Sequence, residues 1–322
     1  MADRLPSVVD MQASAPPVLL ALSRAGVTSV QKAIRIRRGD QEMMMAATID
    51  CTVDLAREQK GVHMSRFPEL FDEAIDAGVF AEGMLIEALA DRIAEQIVER
   101  QRALRAEVRI TARWPLRRQT PVSDLPTQEM VSLVGIAAAT ERGSRRVVGV
   151  EATGINACPC AQGLVRDNAA VRLAAEGYGR EEVERILAHV PIATHNQRGR
   201  GTLLVGTAAE LDAEELVGIV ERSMSAPIFE LLKRPDELHV VEQAHANPRF
   251  VEDSVRIAIK GVLERLPALA DGDFVLSRQL NLETIHDHDV VAERWGTVGE
   301  LRRELAGEQV GAQTTLDAWL TG

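Results

Sequence analysis

Two alternating apolar segments followed by a four-spaced apolar stripe constrain this chain more than any other feature. In residues 27–38, Ile34 and Ile36 alternate with Arg35 and Arg37, the period of a strand with one wet face. Gly39-Asp40 is a turn signal. Residues 42–55, rich in Met, Ile, Val and Thr, complete a hairpin. Ser65 stands where it can cap a following helix, with Pro68 in its first turn. Leu85, Leu89, Ile93 and Ile97 then stripe one face of a helix over residues 82–102. Val108, Ile110 and Ala112 alternate as a third strand. Pro115, Pro121 and Pro126 predict a loop over 115–126, and 129–140 is a mostly apolar fourth strand. The first half therefore reads strand, strand, helix, helix, strand, strand.

The second half repeats that order in pattern, without sequence identity between the halves. Residues 145–153 and 201–206 are strands, with helices near 164–175 and 181–190 between them. Asp212 and Glu215 suit a capping box for a helix carrying Leu216, Ile219 and Val220. Val255, Ile259, Val262 and Leu266 stripe another helix. A strand over 274–282 and the segment after Thr284 close the set. The expected organisation is an arm over 1–24, a first module over 25–142, a second over 143–300 and a tail over 301–322.

Composition narrows the function. A net charge of -11 disfavours binding a nucleic-acid polymer but allows a local basic pocket. No apolar run is long enough for a membrane span, and the N-terminus has no apolar signal core, which favours a cytoplasmic protein. Three cysteines do not make a disulfide framework.

Three motifs hold chemistry. Cys158-Pro159-Cys160 lacks the two-residue spacing and second pair of a closed zinc site, but a mixed site of thiolate, imidazole and carboxylate keeps a position open for water. Spacing alone equally allows two small buried apolar residues. His195, Asn196, Gln197 and Arg198 are consecutive hydrogen-bonding side chains before Gly199-Arg200-Gly201; the plain alternative is a polar loop. Ile285-His286-Asp287-His288-Asp289 places two imidazoles on one face if extended, or forms an exposed turn. Glu237 and Glu252 are acidic candidates, since a carboxylate can accept from the ring N–H and amine of guanine together. His63, Arg66, Arg198 and Arg200 can neutralise phosphates; there is no Walker or dinucleotide motif to do so.

Six blocks in order resemble the type IB GTP cyclohydrolase family, including its archaeal methanopterin-pathway branch. They are G-V-H-M-S-R-F at 61–67, C-P-C at 158–160, H-N-Q-R at 195–198, L-L-K-R-P-D-E at 231–237, N-P-R-F-V-E-D at 247–253 and I-H-D-H-D at 285–289. The resemblance implies an α+β tunnelling fold (T-fold) with two ββααββ-like modules per chain, antiparallel sheets and barrels assembled in a homotetramer. It implies GTP as substrate and one divalent metal per subunit, ferrous iron ahead of manganese or zinc. Carried over by position, Cys158, His195, Glu237 and His286 would be ligands, with Cys158, His195 and His288 in catalysis. Glu252 would anchor guanine, with His63, Arg66, Gln197 and Arg198 as further substrate contacts. The long spacer between Cys160 and His195 is similar to the archaeal branch, for which a 2′,3′-cyclic phosphate product is expected in place of dihydroneopterin triphosphate. A nitrile reductase with a nucleophilic cysteine, or a non-catalytic purine or pterin binder, is the alternative on the same fold.

Overall fold

The computed structural model describes residues 12, 14–38, 41–79 and 84–322. The Gly39-Asp40 turn, most of the N-terminal arm and the start of the helix expected from residue 82 lie outside them. Contacts divide the chain into two compact units: residues 1–112, 134–147 and 320–322 form one, and 113–133 with 148–319 the other.

In the first unit, β1 (Leu22–Arg38) and β2 (Gln41–Leu55) pair antiparallel, with Ile34 opposite Met45. Next come α1 (Arg66–Val79) and α2 (Ile86–Gln101), then parts of β3 (Arg105–Gln119), β4 (Pro126–Thr140) and β5 (Gly143–Ala157). The strand order is β1-β2-β3-β4-β5. The alternation sorts the side chains as expected: Ile34, Ile36, Met45, Ala47, Ile49 and Cys51 are buried. Phe67, Phe71, Leu89, Ile93 and Ile97 supply the helical side of the core. Leu85 is the N-cap of α2, and the stripe inside the helix begins one turn later. Gly135 is needed where β4 meets α2, since a Cβ there would lie 2.6 Å from the Ile86 carbonyl. Cys51 is fully buried, and burial pushes its thiol far above the ordinary range, which makes it an inert core residue.

The expected loop over 115–126 is shorter than the prolines suggest. Trp114 and Leu116 continue the buried alternation of Ala112, so β3 runs on to Gln119. The β2–β3 ladder ends at Ala112. Pro115 lies past it, and its missing N–H breaks no bond on that side.

The second unit continues from β5 through α3 (Pro159–Ala175), α4 (Arg180–His189), β6 (Asn196–Gly206), α5 (Ala213–Ser223), β7 (Ala226–Pro227) and α6 (Arg234–Ala246). It ends with α7 (Val251–Arg265), β8 (Phe274–Asn281), β9 (Val290–Thr297), α8 (Val298–Leu305) and most of α9 (Leu316–Thr321). Its strand order is β3-β4-β5-β6-β8-β9, with β7 on β5. The pairings β6–β8 and β8–β9 are antiparallel. Leu216, Ile219 and Val220 of α5 and Val255, Ile259 and Val262 of α7 are buried, and α7 packs on β8 and β9. Asp212 caps α5 by accepting from Glu214 N at 2.9 Å. The tail, for which the sequence suggested no role, folds back: the Trp319 ring lies 5.9 Å from that of Phe274, and its indole N–H donates to the Gly272 carbonyl at 2.8 Å. No helix among the described residues is long and apolar enough to cross a membrane.

A buried carboxylate fixes the start of α6. Asp236 accepts from Val122 N and Ser123 N at 2.8 Å, from Ser123 Oγ at 2.7 Å and from Lys233 N at 2.9 Å. Burial alone would raise its pKa, but the bonds from Ser123, Lys233 and Val122 outweigh that and hold the carboxyl well below the usual range. A carboxyl lowered on folding contributes stability above its unfolded pKa of about 4, lost as pH falls through the folded value. Asp236→Asn is therefore expected to lower the melting temperature at pH 7 and to leave a shallower acid limb below about pH 4. Thermal melts across that range check it; parallel acid limbs for both proteins would refute it.

Candidate active site

The candidate site is built where β5, β6 and β8 end, around one buried amide. Asn156 has no exposed surface. Its Nδ2 donates to Asn281 Oδ1 at 2.8 Å and Ser254 Oγ at 3.2 Å, and its Oδ1 accepts from Ser225 N at 3.2 Å. Ser225 Oγ in turn accepts from Ala157 N at 3.0 Å. Gly199 makes room for this cluster, since a Cβ there would lie 2.4 Å from Gln279 Nε2. Backbone bonds complete the frame: Cys158 N donates to the His195 carbonyl at 3.1 Å, and Arg249 N to the Ala157 carbonyl at 2.9 Å. Thr194 Oγ1 donates to the Cys158 carbonyl at 2.7 Å. Residues distant in sequence are thus held side by side.

Cys158 is the N-cap of α3, its sulfur accepting from Ala161 N at 3.5 Å, and Pro159 opens the helix. Cys158 is half-buried, whereas Cys160 is exposed. The run from Asn196 belongs to β6, so the strand starts earlier than residue 201 and buries Gln197.

Gln197 decides the state of His195. Its Nε2 donates to Glu283 Oε1 at 3.1 Å, so its Oε1 faces His195 Nδ1, also at 3.1 Å. An amide oxygen only accepts, so Nδ1 is the donor in this contact, and Nε2 is the ring nitrogen left for another partner. Glu283 Oε2 lies 3.7 Å from the same Nδ1 and is buried without a hydrogen-bond partner. Sequence reasoning missed Glu283. The available signal was its place in alternation with Asn281 at a strand end, just ahead of the two histidines.

One cavity of about 440 Å³ is lined by Cys158, His195, Glu252, Glu283, His286 and His288. Gln197, Arg249 and the apolar side chains of Phe250, Val251, Val290 and Val291 also face it. His286 and His288 do not lie on a strand, as one reading of the alternation suggested. They sit in a bend between β8 and β9, exposed, with rings stacked 5.1 Å apart. Glu252, in the first turn of α7, is exposed. Glu237 is exposed in the first turn of α6 and is not among the lining residues. Arg198 is exposed on β6. His63 and Arg66 line a different cavity, of about 360 Å³, within the first unit, with Arg100 and Arg102.

Thiol, imidazole and carboxylate around one cavity form a donor set suited to a divalent transition metal. The buried, unpartnered oxygen of Glu283 behind His195 is the kind of group that orients a ligating imidazole. Among the described residues, no three His, Cys, Asp or Glu side chains already stand together as a metal cluster.

Comparison with known proteins places the chain. The family model described as type I GTP cyclohydrolase folE2 matches residues 8–292. This chain belongs to that family. A GTP cyclohydrolase MptA from Methanococcus aeolicus is 40% identical over 92% of this chain and 99% of its own. The MptA of Methanosarcina mazei is 40% identical over 92% of this chain and 97% of its own, and that of Methanocaldococcus jannaschii 38% over 92% and 97%. Among solved structures, uricase from Arthrobacter globiformis shares the fold, with a TM-score of 0.51, 8% identity and coverage of 90% of this chain and 96% of that one. The family is one of enzymes, and the cavity at the strand ends is its candidate active site.

Replacing Asn156 by Ala deletes its bonds to Asn281 Oδ1, Ser254 Oγ and Ser225 N, leaving the Ser225 amide only the Ile155 carbonyl and Asn281 Oδ1 only Gln279 Nε2. The expected cost is about 1–3 kcal/mol of unfolding free energy, measured by urea titration. A change under about 0.5 kcal/mol would remove Asn156 from its central place in the frame.

Proposed function

We propose that this enzyme opens the imidazole ring of GTP at C8 and releases C8 as formate, giving a 7,8-dihydroneopterin phosphate. The observation that carries the reading is the cavity itself, where Cys158, His195, His286 and His288 share walls with Glu252. Membership of the GTP cyclohydrolase family supports the substrate.

Cys158, His195 and His286 would hold one divalent cation, with Glu237 as the carboxylate that the family likeness implies. When bound, such a cation supplies Lewis-acid activation of water for attack on C8. Ferrous iron fits this donor set, as manganese or zinc does. Glu252 accepts from the guanine ring N–H and exocyclic amine, which fixes the plane of the base and turns C8 away from α7. Val290 and Val291 offer apolar contact to the ring face. His288 delivers a proton to the ring nitrogen that departs; were His195 to do so, it would have to leave the cation first. Glu283, through Gln197 and Nδ1, keeps the His195 ring in one tautomer and orientation while this happens. In this reading Arg198 contacts the triphosphate, while His63 and Arg66 line the separate cavity of the first unit and are given no contact with it. Assembly into homotetrameric barrels and a place in the cytoplasm also belong to this reading.

Likeness over nearly the whole chain to MptA proteins, together with the α3–α4 insertion, favours the cyclic-phosphate product. Incubating anaerobically iron-loaded protein with GTP should release formate and yield a pterin, fluorescent after oxidation, with the mass of the 2′,3′-cyclic phosphate. Absence of formate, or recovery of GTP unchanged, would overturn the proposal. Within it, Glu252→Ala should weaken GTP binding about tenfold or more, and Glu283→Gln should lower turnover about 10–100-fold. Steady-state kinetics and equilibrium binding separate the two effects.

A further inference from the structure

The proposed chemistry uses the thiol, the histidines and the carboxylates of the cavity but leaves its one arginine without a task. Arg249 is the sole Lys or Arg among the residues that line it. Its Nε is buried and has no hydrogen-bond partner. A guanidinium donor shut away from water without an acceptor costs free energy, which an acceptor arriving in the cavity would return. The backbone holds this side chain in place from two directions. Arg249 N donates to the carbonyl of Ala157, next to Cys158. Three residues further on stands Glu252, in the first turn of α7.

We propose that Arg249 is a specificity residue that donates a hydrogen bond to the O6 carbonyl of the guanine base, beside the edge read by Glu252. The inference rests on GTP being the substrate. On guanine, O6 adjoins the ring N–H that a carboxylate would take, so an acceptor directly follows the two donors. Arginine is the side chain that pairs most readily with the O6 edge of guanine. Adenine presents an amino group at that position, which would set donor against donor and leave Arg249 unsatisfied. The triphosphate is the anionic part of GTP and the other group an arginine could meet. It would need several cations and retains much water, whereas this cavity offers a single arginine with a buried Nε beside two glutamates.

The test is equilibrium binding to wild-type protein and to Arg249→Met and Arg249→Lys. The probes are GTP, guanosine and 6-thioguanosine triphosphate, whose sulfur is a weaker acceptor while the face opposite Glu252 is unchanged. Arg249→Met should weaken GTP and guanosine by the same factor, about tenfold or more. It should also abolish the preference for GTP over the 6-thio analogue, and Arg249→Lys should restore part of both. A loss for GTP but not for guanosine would assign Arg249 to phosphate and overturn the proposal. So would an unchanged preference for GTP over its 6-thio analogue in Arg249→Met. If wild-type protein binds neither GTP nor guanosine, the cyclohydrolase reading itself falls, and this inference with it.

Discussion

The buried amide of Asn156 is the interaction on which the candidate site depends. Strand ends diverge unless something ties them, and the sheet ladder stops short of the catalytic groups. Asn156 ties β5 to β8 through Asn281, to α7 through Ser254 and to the turn before β7 through Ser225. Each partner is itself almost wholly buried, so water does not compete for these bonds. Two residues along, Cys158 begins α3 with its amide already bonded to the His195 carbonyl. Thiol and imidazole are therefore linked through the backbone, one at the N-cap of α3 and the other immediately before β6.

Above that frame the side chains divide the work by charge. Glu283 faces Gln197, Gln197 faces His195, and the chain of bonds ends by fixing the orientation of the imidazole through Nδ1. Cys158 stands at the N-cap of α3, its sulfur accepting from Ala161 N. Phe250, Val251, Val290 and Val291 add apolar surface to a lining that also holds Glu252 and Arg249. The one lining thus combines groups of the kind that bind a cation or move a proton with groups of the kind that meet a flat, hydrogen-bonding heterocycle. The first unit brings its own basic cavity at His63 and Arg66, within a β-β-α-α-β-β run that the second unit repeats with α3, α4 and α6 added.

Much of this was legible in the sequence because period and burial agree. The alternation of Ile34, Ile36, Val108 and Ile110 marked strands, and the spacing of Leu89, Ile93 and Ile97 marked α2, since each pattern has one geometry that buries it. Cys158, His195, Glu252, His286 and His288 were readable as a set only because several motifs stood in a familiar order; nothing in their spacing fixes a shared cavity. Pro115 misled because proline argues against a strand only where its N–H is needed. Asn156 and Arg249 gave no signal of their own, and Glu283 only its alternation with Asn281. A lone Glu, Asn or Arg is ordinarily a solvated surface residue, and only the folded chain reveals that these three are turned inward. Glu237 was assigned from its block alone, and α6 presents it to solvent while burying its neighbour Asp236.

The central claim is that Cys158 and His195, joined through their backbones, bind one cation in the cavity that also receives the base. Visible absorption of the anaerobic protein titrated with cobalt(II) tests it most directly. The account predicts a sulfur-to-cobalt charge-transfer band that saturates with the metal, disappears in Cys158→Ala, and shifts when GTP is added. A cobalt spectrum typical of oxygen ligands alone, identical in wild-type and Cys158→Ala protein and indifferent to GTP, would contradict it.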